Sequence, residues 1–431
     1  MKKFTYKNLK LFLYLCILLF IINCTFNNDD RSNIDIIEIS QEINNSIIYK
    51  NDNGDLNIFN EDGNNIVFAK ADVNTKYYWP TISMDNNFIS YSYVTEQIID
   101  YKIGIKILDI LNNNTYEIYS EINPVKNVLS NDIPHYMAWS LIDNILSFVV
   151  PTENYPALFI HKTSNINNVN KLVENGPIWL NWNENNQLSV HRRSKRLIFN
   201  INNSITNLIN TNDVSPFYRL DAWGSLGVTS NDIYSVFQND AKFKHIIKSD
   251  ILNNTFEFIN SSEDYPLINI SPDKLYLSVL KSKIHPTALY DSFILYKTKN
   301  MSEKIIEITN APLGYFWSPD SSKIALFTAN QNSGYYDLYI LNIENLELKK
   351  IFTLKLSTEQ LEMIIFSDQF AQSHNLWSPD SSKLLLSGNL YFNNIDDEIL
   401  DKNPNIILIS DLDSNPKSEI LFDGSIAYWT N

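Results

Sequence analysis

The chain has 431 residues, 44% of them hydrophobic, and carries a formal net charge of −15 at pH 7. That length supports a large buried core, and the acidic balance excludes the broad basic face that a nucleic-acid partner needs to neutralise phosphates. The two cysteines, Cys16 and Cys24, are too few for a disulfide framework.

Lys2, Lys3, Lys7 and Lys10 precede an apolar run from Leu11 to Ile22 that ends at Cys24. A basic start followed by an apolar run is the pattern of a secretory leader. The run is twelve residues long, short of the ~20 that a membrane-spanning helix requires. Ile21-Ile22-Asn23-Cys24 resembles a bacterial lipobox, in which the cysteine becomes the lipidated first residue, although Asn23 stands where a small residue is usual. Residues 1–23 are therefore expected to be a lipoprotein signal peptide, with Cys24 as the lipidation site. Cleavage would remove four lysines and Cys16, leaving 30 basic against 49 acidic residues, a net charge of −19, and no possible disulfide. Residues 24–44, with Asn27-Asn28-Asp29-Asp30, read as a flexible acidic tether.

From Ser46 to Ala69 the sequence holds three β-rich runs with no Trp-bearing strand before them. Seven related starts follow: Trp79-Pro-Thr-Ile-Ser-Met-Asp, Ala138-Trp139-Ser, Asn181-Trp182-Asn, Ala222-Trp223-Gly, Ile270-Ser-Pro-Asp, and the near-identical Trp317-Ser-Pro-Asp-Ser-Ser-Lys and Trp377-Ser-Pro-Asp-Ser-Ser-Lys. They are 41 to 60 residues apart, the period of a four-stranded propeller blade with loop insertions. Ser425 to Trp429 is one more first strand with nothing after it. Joined to the three runs at 46–69, it makes a blade shared by both ends of the domain and leaves the ring without an open edge. The expected fold is an all-β propeller of four-stranded antiparallel blades over residues 45–431, eight in number, or seven if the stretch around Trp182 or Trp223 forms none of its own.

The segments Trp317 to Leu341, Trp377 to Leu386 and Ile270 to Leu280 resemble the TolB-like repeat, a branch of the WD40-like propellers marked by a Trp-Ser-Pro-Asp-Gly turn. Ser321 and Ser381 stand where that repeat has glycine. The resemblance implies a propeller in the bacterial cell envelope. The α/β domain that precedes the propeller in TolB has no room in this chain.

Asp273, Asp320 and Asp380 recur in the same turn, so they are read as structural acceptors for turn N–H groups. The blade tryptophans are read as core. Loops between blades, and between second and third strands, fall on one face. The long pieces, Val94 to Asp100, Glu121 to Tyr136, Leu356 to His374 and Asn389 to Pro404, all belong to it. Long loops gathered on one face of a repeat ring mark a binding face. Its candidate residues are His135, Tyr136, His285, Asp368, His374, Asp396, Asp397, Glu398 and Asp401, while His161, His191 and His245 are assigned to structure.

No nucleophile elbow, phosphate loop or metal-binding motif occurs. The expectation is therefore a non-enzymatic, lipid-anchored envelope protein without cofactor or metal, exported to a periplasmic or extracellular face. It would bind another envelope protein, touching the membrane through its lipid alone. The alternatives are a glycan- or peptide-binding propeller, with Tyr77, Tyr78, Tyr136 and Tyr265 as stacking rings, and a metal-dependent polysaccharide lyase. An open channel mouth with convergent polar groups favours these, and a plugged one favours a protein platform.

Overall fold

All but the last of the repeats open on an apolar strand, and in each the next residue is a Ser, Thr or Asn, whose side chain competes with the ladder for backbone hydrogen bonds and starts a turn. The turns close from Ser83 N–H to the Phe88 carbonyl and, in equivalent fashion, at Ser140, Asn183, Thr229, Ser271, Ser318 and Ser378. Left-handed backbone is needed within them, and Asn86, Asn186, Lys274, Ser321 and Ser381 supply it at φ of 57, 57, 65, 61 and 61°. Asn adopts this region more readily than most side chains, which fits a sequence with ten glycines in all.

The computed structural model describes residues 43–431 apart from 61, 97–99, 124–135, 153–154, 177, 193–194, 202–205, 214–224, 239–242, 251–254, 284–288, 331–333 and 392–402. Residues 1–39 separate from 40–431 and lie wholly outside this set. Among the described residues there are six four-stranded antiparallel sheets and one of seven strands. Ile47–Lys50, Leu56–Phe59 and Asn65–Ala69 take their fourth strand, Ile426–Trp429, from the far end of the chain. The ladder pairs Ile47 with Trp429, Ile48 with Tyr428, Tyr49 with Ala427 and Lys50 with Ile426, as the sequence implied.

Five further sheets begin at Thr75–Ile82, Tyr136–Trp139, Ile178–Trp182, Leu226–Val228 and Tyr265–Ile270. The seven-stranded sheet begins at Pro312–Trp317. In it the fourth strand of one repeat, Leu348–Leu356, continues into the next repeat by pairing Leu354, Lys355 and Leu356 with Leu390, Asn389 and Gly388. The first-strand position of that last repeat is reduced to bridges from Trp377 to Leu384 and from Asn375 to Trp429.

The buried slot before each turn residue holds Ile82, Trp139, Trp182, Val228, Ile270, Trp317, Trp377 and Trp429. Two sequence assignments are corrected here. Trp79 lies three residues ahead of the slot, in a bulge between Tyr78 and Thr81 with φ of 50°, and Trp223 lies outside the described residues while Val228 fills its place. The slot indoles also tie neighbouring repeats together. Nε1 of Trp139 donates to the Thr81 carbonyl (3.2 Å), that of Trp317 to Ser278 Oγ (3.0 Å) and that of Trp377 to the Phe316 carbonyl (3.0 Å). Apolar clusters span adjacent sheets in the same way, as where Leu158 and Ile160 meet Leu180 and Leu197.

A filled channel and its vestibule

Between Leu348–Leu356 and Trp377 the chain turns inward. Ser357 caps a helix, Thr358–Ile365, by accepting the Gln360 N–H (3.0 Å), and a short second helix, Ser367–Phe370, follows. A β-carbon on Gly314 would sit 1.9 Å from the Ile364 carbonyl oxygen, so only glycine admits the helix this close to the first strand of its sheet. Gln360 Oε1 accepts the Ser387 N–H at 3.0 Å, and Met363, Ile364 and Phe370 are fully buried.

The segment then crosses from repeat to repeat. Phe370 stacks on the displaced Trp79 with ring centroids 4.7 Å apart. Gln372 accepts the Trp182 N–H (3.3 Å) and donates to the Leu180 carbonyl (3.0 Å). The Ser373 carbonyl accepts from Thr81 Oγ1 (3.0 Å) and that of Asn375 from the Trp429 N–H (2.9 Å). Residues 357–375 therefore plug the channel and make contacts around it.

This placement corrects three candidate binding residues, because the piece from Leu356 to His374 is core and not an exposed loop. His374 is 1% exposed and packed among Phe370, Trp79 and Tyr428. Burial pushes its pKa down to about 3, against a backbone contact with Pro80 that acts the other way, so the ring is neutral at pH 7. Asp368, in the second helix of the same segment, is buried. Tyr136, also buried, donates to the Leu180 carbonyl (2.7 Å), and burial first and the Asp368 charge second raise its phenol well above the usual value. None of the three can meet a partner at the surface. Tyr77, offered as a stacking ring, is buried as well.

His135, His285, Asp396, Asp397, Glu398, Asp401 and Cys24 lie outside the described residues. His161, His191 and His245 are buried in their sheets. Among the described residues no group of three or more His, Cys, Asp or Glu is placed to hold a metal ion.

Asp273, Asp320 and Asp380 face their own turns. Their Oδ1 atoms accept from Ser271, Ser318 and Ser378 Oγ at 2.5, 2.7 and 2.5 Å and from the N–H of Leu275, Ser322 and Ser382 at 3.0, 3.0 and 3.1 Å. Partial burial opposes ionisation of Asp320, but the bonds from Ser318 and Ser322 hold its carboxyl below the ordinary range. Sequence reasoning missed why serine replaces glycine in these turns. Ser321 Oγ accepts the Asp273 N–H (3.0 Å) and Ser381 Oγ the Asp320 N–H (3.1 Å), so each serine links its turn to the preceding repeat.

On the turn side, the plug is the floor of a vestibule of about 270 Å³. Ile82, Trp139, Trp182, Val228, Ile270, Trp317 and Trp429 contribute to its walls, together with Asn181, Asn269 and Lys274, and the floor runs from Ala371 to Asn375. Toward the other face, a cleft of about 420 Å³ lies between Lys50, Lys355, the start of the plug helix and Asn389. Lys50 is spent there on Glu359, 2.7 Å away, and on the ring of Tyr78.

No family model matches the chain and no curated protein matches it in sequence. Among solved structures it is similar to a eukaryotic initiation factor (11% identity, TM-score 0.51, covering 90% of this chain and 98% of that one). It is also similar to the β-propeller domain of the Trilobed protease from Pyrococcus furiosus (12% identity, TM-score 0.50, covering 82% and 99%). TolB from Acinetobacter baumannii is 10% identical with a TM-score of 0.38, over 80% of this chain and 83% of that one. That protease propeller is described as having an open velcro topology, whereas here Ile426–Trp429 closes the ring. Enzymes are among the similar structures: an oligogalacturonate lyase, a putative 6-phosphogluconolactonase and a dipeptidyl peptidase 4, at 11, 10 and 10% identity with TM-scores of 0.46, 0.45 and 0.48. The expectation of a non-enzymatic protein is therefore withdrawn, and at such identities no reaction comes with the likeness. What the likenesses and the closed ring of antiparallel sheets establish together is a β-propeller.

Proposed function

We propose that this chain is a lipid-anchored propeller of the bacterial cell envelope, exported and held at a membrane through Cys24, whose loop-bearing face docks another envelope protein. The filled channel supports this reading best. With residues 357–375 bonded to strands around the ring, passage through the axis is blocked, and recognition falls to the two faces. Among the described residues no helix is long and apolar enough to cross a membrane. The acidic residues Asp396, Asp397, Glu398 and Asp401 would steer a basic partner to the protein.

Two results are expected. Cys24→Ala moves the protein out of the detergent phase on partitioning, because one thioether-linked set of acyl chains supplies the whole attachment; unchanged partition would make the apolar run itself the anchor. Replacing Asp396, Asp397, Glu398 and Asp401 by Asn or Gln slows capture of the crosslinked partner, most at low salt, with Tm changed little. Charge reversal at Asp413, on the turn side, leaves capture intact. The reverse pattern would mean that the partner docks on the turn side.

A further inference from the structure

We infer that the vestibule on the turn side binds a single carboxylate group carried on a small, neutral, hydroxylated body, with Lys274 as the charge partner. At about 270 Å³ it lies just below the ~300–1,000 Å³ of pockets for drug-sized ligands, which suits one sugar-sized unit.

Lys274 is the one lysine, arginine or carboxylate side chain in the lining. Its ammonium makes no hydrogen bond or ion pair among the described residues, in a chain with fifteen more acidic than basic residues. Burial lowers its pKa, while Glu184 and Asp273 act in the opposite sense from beyond contact distance. A partly desolvated ammonium without a partner is costly, and spare carboxylates abound, so its isolation points to a partner from outside.

The backbone repeats the point. Lys274 occupies the left-handed turn position at φ of 65°, where lysine has no advantage. At the equivalent places, Asn86 donates to the Asn431 carbonyl (2.8 Å), Asn186 to Asp143 (2.6 Å), and Ser321 and Ser381 accept from neighbouring turns. Among these five, the Lys274 side chain alone makes no such link.

Two amides complete the donor set. Asn269, 8% exposed, and Asn375 each spend their carbonyl oxygen on a backbone N–H, of Ile270 (2.8 Å) and Trp377 (3.3 Å). Among the described residues their Nδ2 groups, on the vestibule wall and floor, have no acceptor. An ammonium and two amide donors complement one carboxylate. Asn181 donates to the Leu226 carbonyl (3.3 Å) and keeps its Oδ1 as an acceptor for a hydroxyl. On the turn side, Asp85, Asp143, Glu184, Asp273, Asp320 and Asp380 are exposed, one from each of six turns. Screened over ~8 Å at physiological salt, such carboxylates repel ligands with several negative charges more than a singly charged one.

Calorimetric titration of the full chain with glucuronate tests this, against glucose, cyclohexanecarboxylate and citrate. Saturable glucuronate binding is expected, with the other three at least tenfold weaker for want of the charge, of the hydroxyls, or of a tolerable charge repulsion. Lys274→Asn keeps a residue suited to the turn and should leave Tm unchanged while weakening glucuronate at least tenfold. Absence of saturable binding, equal affinity in Lys274→Asn, or equal binding of any of the other three overturns the proposal. Should Lys274→Asn melt early, Asn375→Ser carries the same expectation of weakened binding.

Discussion

Deleting residues 424–431 is expected to abolish cooperative folding. The truncation removes the four-pair ladder to Ile47–Lys50 and two slot-side rings, Tyr428 and Trp429, that are buried. It also removes the Thr430 hydroxyl, which accepts from the Ser46 N–H (2.8 Å) and donates to the Ile43 carbonyl (2.7 Å). Truncating one buried aromatic costs about 3–5 kcal/mol, and domains are stable by only about 5–15 kcal/mol. The exposed edge of Ile47–Lys50 would then be free to pair between molecules. Circular dichroism should show no sharp melting transition and sedimentation should show aggregate. Melting at the temperature of the intact chain would contradict the closure.

The plug should be nearly as sensitive. Gly314→Ala puts a methyl group 1.9 Å from the Ile364 oxygen, so the helix must withdraw from the strand. Phe370→Ala removes the ring stacked on Trp79 and should cost about 3–5 kcal/mol, while overpacking at Gly314 should cost about 1–3 kcal/mol or more, each read as a drop in Tm. Acid should act on the same segment. His374 has its pKa lowered from 6.5 to about 3 by burial. Its neutral form is the one that fits, so its contribution is complete above pH 6.5 and is lost as pH falls toward 3. Glu362, on the plug helix, is raised from 4.5 to about 7 by burial and, second, by Glu359. Its contribution is complete below pH 4.5 and is lost as pH rises through 7. Tm should therefore peak between these limits, and His374→Phe should flatten the acid limb if the ring packs. An acid limb unchanged by that substitution would place its origin elsewhere.

The ring was legible because its period is carried by local chemistry. An apolar strand, a Ser-Pro-Asp turn and a second strand are short-range signals, and the shared sheet followed from counting strands at both ends. Trp79 misled because the eye follows tryptophan, while the register is set by the turn residue: Ser83-Met84-Asp85 aligned with Ser318-Pro319-Asp320 puts Ile82 in the slot. The plug was illegible for a different reason. Its helix is eight residues long and packed from several sides, so Leu361, Met363 and Ile364 show no clean stripe among Glu359, Gln360 and Glu362. One signal was present, Ser357 followed three residues later by Gln360, the pattern of a helix-capping box. Lys274 could not be found from sequence at all, since its isolation depends on which side chains of other repeats come within reach.

Hydrogen–deuterium exchange across residues 357–375 tests the filled channel most directly. If these residues plug it, amides of Gln360, Ile364, Phe370 and His374 should exchange as slowly as those of Ile47–Lys50 in the closing sheet, opening only with the fold. Exchange at the rate of a solvent-exposed loop would leave the channel open and contradict a platform whose recognition is confined to its faces.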